Sequence, residues 1–212
     1  MRFLKQAILA AALGLQPLAA AAATPAASLS AADRADLARV EQYLDSIRTV
    51  AAHFMQSSDG RIAQGSFYLE RPGKMRIQYD PPDPLFMVAS GIFLSVYDPQ
   101  LKQTTYLPID STPAYFLVKD KVGLGDDVTV AKVERGSDSL RVTLHEKGHP
   151  DQGRITLVFS DKPLQLRKWT VIDRNGKEID VALLDAQFDT KLDPNLFKFV
   201  DPSPSPGAGG QR

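Results

Sequence analysis

From Gly65 to Tyr79, apolar and polar side chains alternate on both sides of a Pro72-Gly73 turn. On the first limb Phe67 and Leu69 share a face, with Ser66, Tyr68 and Glu70 opposite. On the second limb Met75, Ile77 and Tyr79 share a face, with Lys74, Arg76 and Gln78 opposite. A period of two across a tight turn predicts a β-hairpin with one apolar and one wetted face. Arg71 breaks the pattern, because it is in phase with Phe67 and Leu69. A cation on an apolar face must lie at a rim or be partnered, since burying it alone is too costly.

Upstream, Leu37, Val40, Leu44 and Ile47 recur at helical spacing behind Ser30 and Asp33, a capping pair three residues apart. An amphipathic helix over about residues 31–47 follows, packed on a sheet. The stretch Val50–Ser57 has no decisive period, and Phe54 fits either a continued helix or an opening strand. Downstream of the hairpin, Leu85–Ala89, Phe93–Tyr97 and Lys102–Leu107 read as strands between Gly-, Pro- and Asp-rich turns. So do Val128–Arg135, Leu140–Glu146, Arg154–Ser160, Leu164–Asp173 and Lys177–Leu184. Between the two groups, Ser111 or Thr112 as cap and Pro113 at the first helical position open a short apolar helix, Ala114–Val118, which Gly123 and Gly125 end. Such a helix is either core filler or a cover over something apolar. Phe188, Leu192, Phe197 and Phe199 complete the expected core.

The elements predict a mainly β fold of about ten to eleven strands. That many strands curl rather than stay flat. The expectation is a strongly curved, unclosed antiparallel half-barrel, with the N-terminal helix and the short helical lid as the only covers for its inner face.

Composition sharpens this picture at the N-terminus. Arg2 and Lys5, an apolar run from Ala7 to Leu18 and the small residues Ala21-Ala22-Ala23 form a secretory signal, cut near Ala23. The leader holds two of the 25 basic residues and none of the 25 acidic ones, so the mature chain carries 23 basic and 25 acidic residues, a net charge of −2. Near-neutral balance gives no reason to expect nucleic acid. There is no cysteine, so an exported fold must rest on its apolar core. The expected organisation is a signal at 1–23, a lead-in at 24–29, one domain at 30–201 and a disordered Pro/Gly/Ser tail at 202–212.

Candidate chemistry is sparse. His53, His145 and His149 are scattered, and His145 and His149 flank a turn without an acidic partner cluster, which argues against a metal site. No nucleophile–base motif and no phosphate-binding glycine loop is present. Asp126-Asp127 reads as loop solvation or capping, with a catalytic acid as the rival reading. No cofactor is implied. The crowding of Phe and Tyr in the first half points to an apolar cavity.

Taken in order, several stretches resemble the LolA family of lipoprotein carriers. They are the helix ending near Phe54-Met55-Gln56, the Gly65–Pro72 strand, Ser90-Gly91, Leu94-Ser95-Val96-Tyr97-Asp98-Pro99, Thr112-Pro113-Ala114-Tyr115-Phe116-Leu117 and Phe197-Lys198-Phe199. The resemblance covers about residues 33–202. It implies an open β-barrel closed by helices, whose cavity accepts the acyl chains of lipoproteins crossing the periplasm from the inner to the outer membrane. The implied partners are acylated lipoproteins, an inner-membrane lipoprotein-releasing ABC transporter and an outer-membrane lipoprotein receptor, with the carrier a monomer. The family's arginine before proline falls on Arg71, where it would hydrogen-bond the lid and hold the empty state closed. The rival is a rim cation snorkelling to water. On this resemblance the cavity candidates are Phe54, Phe67, Leu69, Met75, Ile77, Tyr79 and Tyr97, with Tyr115, Phe116 and Leu117 on the lid. The usual Asp-Gly before the fifth strand is Ser90-Gly91 here. The chain also stops soon after Phe199, without the further strand some members use in membrane-release specificity. Related half-barrels that bind glycolipids or sense envelope stress are the alternative function.

Overall fold

The computed structural model describes residues 29–82, 84–112, 114–125 and 128–202. The leader, most of the lead-in, the tail beyond 202, Pro113 and the pair Asp126-Asp127 lie outside the described residues.

Helix α1 spans Ala31–Ser46 and opens with a reciprocal capping box, in which the Ser30 hydroxyl accepts from Asp33 N and the Asp33 carboxylate accepts from Ser30 N. Leu37, Val40 and Leu44 form its buried stripe. The ambiguous stretch resolves as strand β1, Thr49–Ser58, because Val50, Ala52 and Phe54 alternate into the core. The hairpin follows as β2 (Arg61–Glu70) and β3 (Lys74–Tyr79), pairing Phe67 with Ile77 and Leu69 with Met75. Strands β4 (Phe86–Ser90), β5 (Phe93–Asp98) and β6 (Gln103–Pro108) complete the first meander. A 3-10 turn at Ile109–Ser111 and helix α2, Ala114–Val118, lead to the second: β7 (Val128–Arg135), β8 (Ser139–Glu146), β9 (Gly153–Asp161), β10 (Leu164–Asp173) and β11 (Glu178–Phe188).

All eleven strands form one antiparallel sheet in the order β6-β5-β4-β3-β2-β1-β11-β10-β9-β8-β7. Each half is a simple meander, and β1 joins them by pairing with β11. The two edges, β6 and β7, are therefore consecutive in the chain, and the segment carrying α2 connects one free edge of the sheet to the other. One apolar cluster runs from Met75, Ala89 and Leu94 through α1 to Leu140, Val142 and Leu157. A sheet whose far arms share a core on one face is bent around it. The result is an unclosed, mainly β half-barrel with both helices on its concave side.

Helix α2 has the expected span, Ala114–Val118, and the chain beyond it turns to bond α1 through Val122 N and Leu124 N. The hydroxyls of Ser111 and Thr112 donate backward to Pro108 O and Ile109 O, stapling the turn behind α2. One expectation changes. Phe197 and Phe199 lie on the convex face, outside the main cluster. Phe197 packs under the Lys74 ammonium, and Phe199 lies against the rings of Phe86 and Tyr106. Phe86 is in register with Gln78, on the wet side of the hairpin. The C-terminal segment is thus a strap across the outside of the first meander.

A latched helix over an apolar floor

Strand alternation puts Phe67, Leu69 and Met75 on the concave face, where each is almost fully buried. From the other half, Leu157, Leu166, Trp169 and Leu183 present their side chains to the same space. The Trp169 and Phe67 rings meet edge-on, with centroids 6.0 Å apart, so the two arms touch at the centre of the floor. Leu44 and Ile47 of the α1 end, with Phe116 and Leu117 of α2, form the cover. What is left between floor and cover is about 20 Å³, room for about one water molecule. Among the described residues, the chain's own side chains fill the space between floor and cover, where an open hollow was expected.

Arg71 lies beneath that cover and is only 7% exposed. Its Nε donates to Leu117 O at 2.7 Å, and its Nη1 donates to Leu44 O. Both acceptors are carbonyls in the last turn of a helix, groups that have no partner within their own helix. The guanidinium therefore ties the C-terminal ends of α1 and α2 together, where carbonyl dipoles favour a cation. Burial pushes its pKa down to about 10, with Asp45 acting in the opposite direction. It still carries its charge at neutral pH. The rim-cation reading fails, because the side chain points inward to two carbonyls.

Further bonds hold the covering segment. Gly73 N, at the hairpin tip, donates to Val118 O at 2.8 Å. Asp45 Oδ1 accepts from Val122 N at 2.8 Å, and Glu41 Oε1 accepts from Leu124 N at 3.3 Å. Arg48 pairs with Asp120 at 2.6 Å, with both side chains about half exposed. Val118 and Val122 are buried beneath these bonds. The α1 end and the hairpin tip thus form a clasp for residues 117–124.

Of the sequence candidates, Phe67, Leu69, Arg71, Phe116 and Leu117 meet around this small space. Phe54, Met75, Ile77 and Tyr79 share the concave face but lie outside its lining. Phe54 and Tyr79 stack edge-on at 5.1 Å, and the Tyr79 hydroxyl donates to Gln56 Oε1. Two candidates fall elsewhere. Tyr97 is in register with Phe86 and stacks on it, on the convex face, because its phase along β5 is opposite to that of Leu94. Tyr115 is 39% exposed, with the Lys119 ammonium over its ring. The residues of the second half, above all Trp169, Leu157 and Leu183, were missed as lining. Their alternation was legible, but nothing in the sequence says which half of the sheet faces α2. Among the described residues, no three His, Asp or Glu side chains gather to hold a metal.

The molecule is thus an unclosed antiparallel half-barrel whose apolar concave side is covered by helices that an inward arginine ties down. The family model described as outer membrane lipoprotein carrier protein LolA matches residues 45–200, and the chain belongs to that family. It is 30% identical over 184 residues to an outer-membrane lipoprotein carrier protein of Methylococcus capsulatus, covering 82% of this chain and 88% of that one. It is 28% identical over 187 residues to one of Azotobacter vinelandii, covering 84% and 89%. The fold is similar to that of a putative outer membrane lipoprotein-sorting protein domain from Vibrio parahaemolyticus, with a TM-score of 0.50 and 13% identity over 76% of this chain and 94% of that one.

Proposed function

We propose that the protein is a non-enzymatic carrier that takes the acyl chains of lipoproteins against its concave face and moves them through the periplasm from the inner to the outer membrane. The domain over residues 30–201 is the carrier, and the leader at 1–23 directs its export. An inner-membrane ABC transporter is the donor and an outer-membrane receptor the acceptor. The observation that carries this reading is Arg71, a buried cation that spends its donors on the ends of two helices instead of on a carboxylate.

The physics of the task explains such a clasp. Each buried acyl CH₂ is worth about 0.8 kcal/mol, so a multiply acylated protein will not stay free in water. A carrier has to offset that and still release. A ligand pocket needs about 300–1,000 Å³, so binding here requires the α2 segment to move off the floor. Closure over the empty floor then opposes binding, and that opposition drives release.

The test is Arg71→Leu. Without the clasp, the variant is expected to accumulate acyl-loaded carrier that fails to pass its cargo on, read as lipoprotein retained with the purified protein. Normal transfer by that variant would remove the latch from the mechanism.

A further inference from the structure

A second cleft, of about 400 Å³, lies on the convex face, behind the apolar floor. Its inner wall is the wet side of the hairpin, where Tyr68 is in register with Arg76 and Ser66 with Gln78. Its outer wall is the C-terminal strap, at the 3-10 turn Pro194–Phe197 that Asp193 caps. The volume falls within the range of small-ligand sites.

The two walls differ in hydrogen-bonding character. On the hairpin, Arg76 gives Nε and Nη2 to Gln78 Oε1 and Nη1 to Leu196 O. Nη1 and Nη2 each keep a second N–H. The Gln78 carbonyl is thereby occupied, and its NH₂ group is left to donate. Among the described residues, the hydroxyls of Ser66 and Tyr68 bond nothing. On the strap, Asp193 Oδ1 accepts from Asn195 N and Nδ2 at 2.9 Å, which leaves Asp193 Oδ2 and Asn195 Oδ1 as acceptors. Among the described residues, neither Arg76 nor Asp193 is in an ion pair. One wall donates and the other accepts.

We propose that this cleft binds a neutral, hydroxyl-rich ligand, a short stretch of glycan. A hydroxyl donates and accepts at once, so neighbouring sugar hydroxyls satisfy both walls. A ligand of net charge gains at one wall and loses at the other, since Arg76 and Asp193 carry opposite signs. A zwitterion gains little from them, because Asp193 is exposed and exposed ion pairs are weak. A polypeptide finds none of its usual grips. Strands β2 and β3 are paired on both sides, so no strand edge is open to it. Among the described residues that line the cleft, Leu196 is the one aliphatic side chain, so no apolar pocket awaits an anchor. The site is independent of the carrier reading, which concerns the opposite face of the same hairpin.

The probes are chitotetraose and maltotetraose, two soluble neutral glycans, titrated into the whole protein and read by amide NMR shifts. At least one is expected to shift the amides of Ser66, Tyr68, Arg76, Gln78 and Asn195, at low and high salt alike, without changing the emission of Trp169 on the other face. Ser66→Ala combined with Tyr68→Phe removes two hydroxyls that hold nothing in the fold. The thermal midpoint of that variant is expected to stay, and its affinity for the glycan to fall about tenfold. Chitin beads and vesicles of a neutral glucosyl diacylglycerol separate two sources of the ligand. Retention on the beads that the double variant loses assigns it to a free glycan chain, and such retention on the vesicles assigns it to a lipid headgroup. If neither tetramer shifts those amides, or the double variant binds as tightly as the wild type, the glycan site is overturned and the carrier reading stands. A Lys-Glu dipeptide that shifts the same amides, with an effect abolished by salt, assigns the cleft to a charged partner and also overturns it.

Discussion

Two residues show how closely the hairpin is built. Gly65 has ordinary strand geometry, but a Cβ on it would lie 2.1 Å from Gln78 O and 2.8 Å from the Phe54 ring. Gly65→Ala is therefore expected to force β2 and β3 apart and to cost about 1–3 kcal/mol, read as a lowered urea midpoint. Arg71 offers a prediction in pH. Its folded pKa, about 10, lies below the ordinary guanidinium value, because burial disfavours the cation. The burden of holding the charge inside is therefore constant at every pH well below 10 and is relieved only as pH rises through that value. The contribution of Arg71 to the clasp is expected to be flat from pH 5 to about 9. The check is the difference in α2 amide exchange between wild-type and Arg71→Leu protein across that range. Period-two reading placed Arg71 correctly with Phe67 and Leu69, because phase along one strand survives any tertiary arrangement. It could not say what the side chain would meet, since its acceptors are carbonyls at residues 44 and 117. Tyr97 and Tyr115 went astray for a related reason. An aromatic ring suits either face of a sheet whose convex side is also covered, and only register with Phe86 shows which face Tyr97 takes.

At the scale of elements, each helix is held by a different kind of bond. The capping box at Ser30 sets the start of α1, and Asp33 adds a bond to Arg135. Those contacts, with the Ser30 hydroxyl first, hold the Asp33 pKa below the usual carboxylate value. A folded-state pKa lowered in this way lends stability above the unfolded value, about 4, and loses it as pH falls through the lowered value. Ser30→Ala is expected to cost about 1 kcal/mol at neutral pH, and its difference from wild type shrinks under acid, measured by thermal unfolding at pH 7 and pH 2.5. The α2 segment is held from outside itself. It is five residues long, shorter than an isolated helix that could persist in water, so its order comes from Arg71, Gly73, Asp45 and Glu41. That dependence was not visible in the sequence, where Ala114–Val118 reads only as a short apolar helix, either filler or cover. Helix α1 was legible to within a residue, because its stripe and its cap agree. The stretch 50–57 was not, because its alternating side chains become a decisive signal only once β2 and β11 flank it on both sides.

For the whole molecule, the question is whether α2 is core or cover. Phe116 and Leu117 are half-buried over a floor that leaves only about 20 Å³ free. A filler and a lid look alike in a closed form, but they differ in what their removal does to a ligand. If Phe116 is filler, Phe116→Ala opens a cavity and destabilises the fold, and affinity for an acyl chain does not rise. If it is cover, the side chain stabilises only the closed state. Its loss then raises the fraction of molecules able to bind, and the apparent dissociation constant falls in proportion. Half-burial argues for a stability loss of about 1–3 kcal/mol, below the 3–5 typical of a fully buried Phe. The two effects should therefore have opposite signs: Phe116→Ala unfolds at a lower temperature than the wild type and binds tri-acylated cysteine more tightly. The chain's single tryptophan supplies the readout, since Trp169 lies on the floor against Phe67. Its emission in a titration reports entry of the probe beneath α2. Lower stability together with unchanged or weaker binding would make α2 part of the core and leave the carrier without a moving cover.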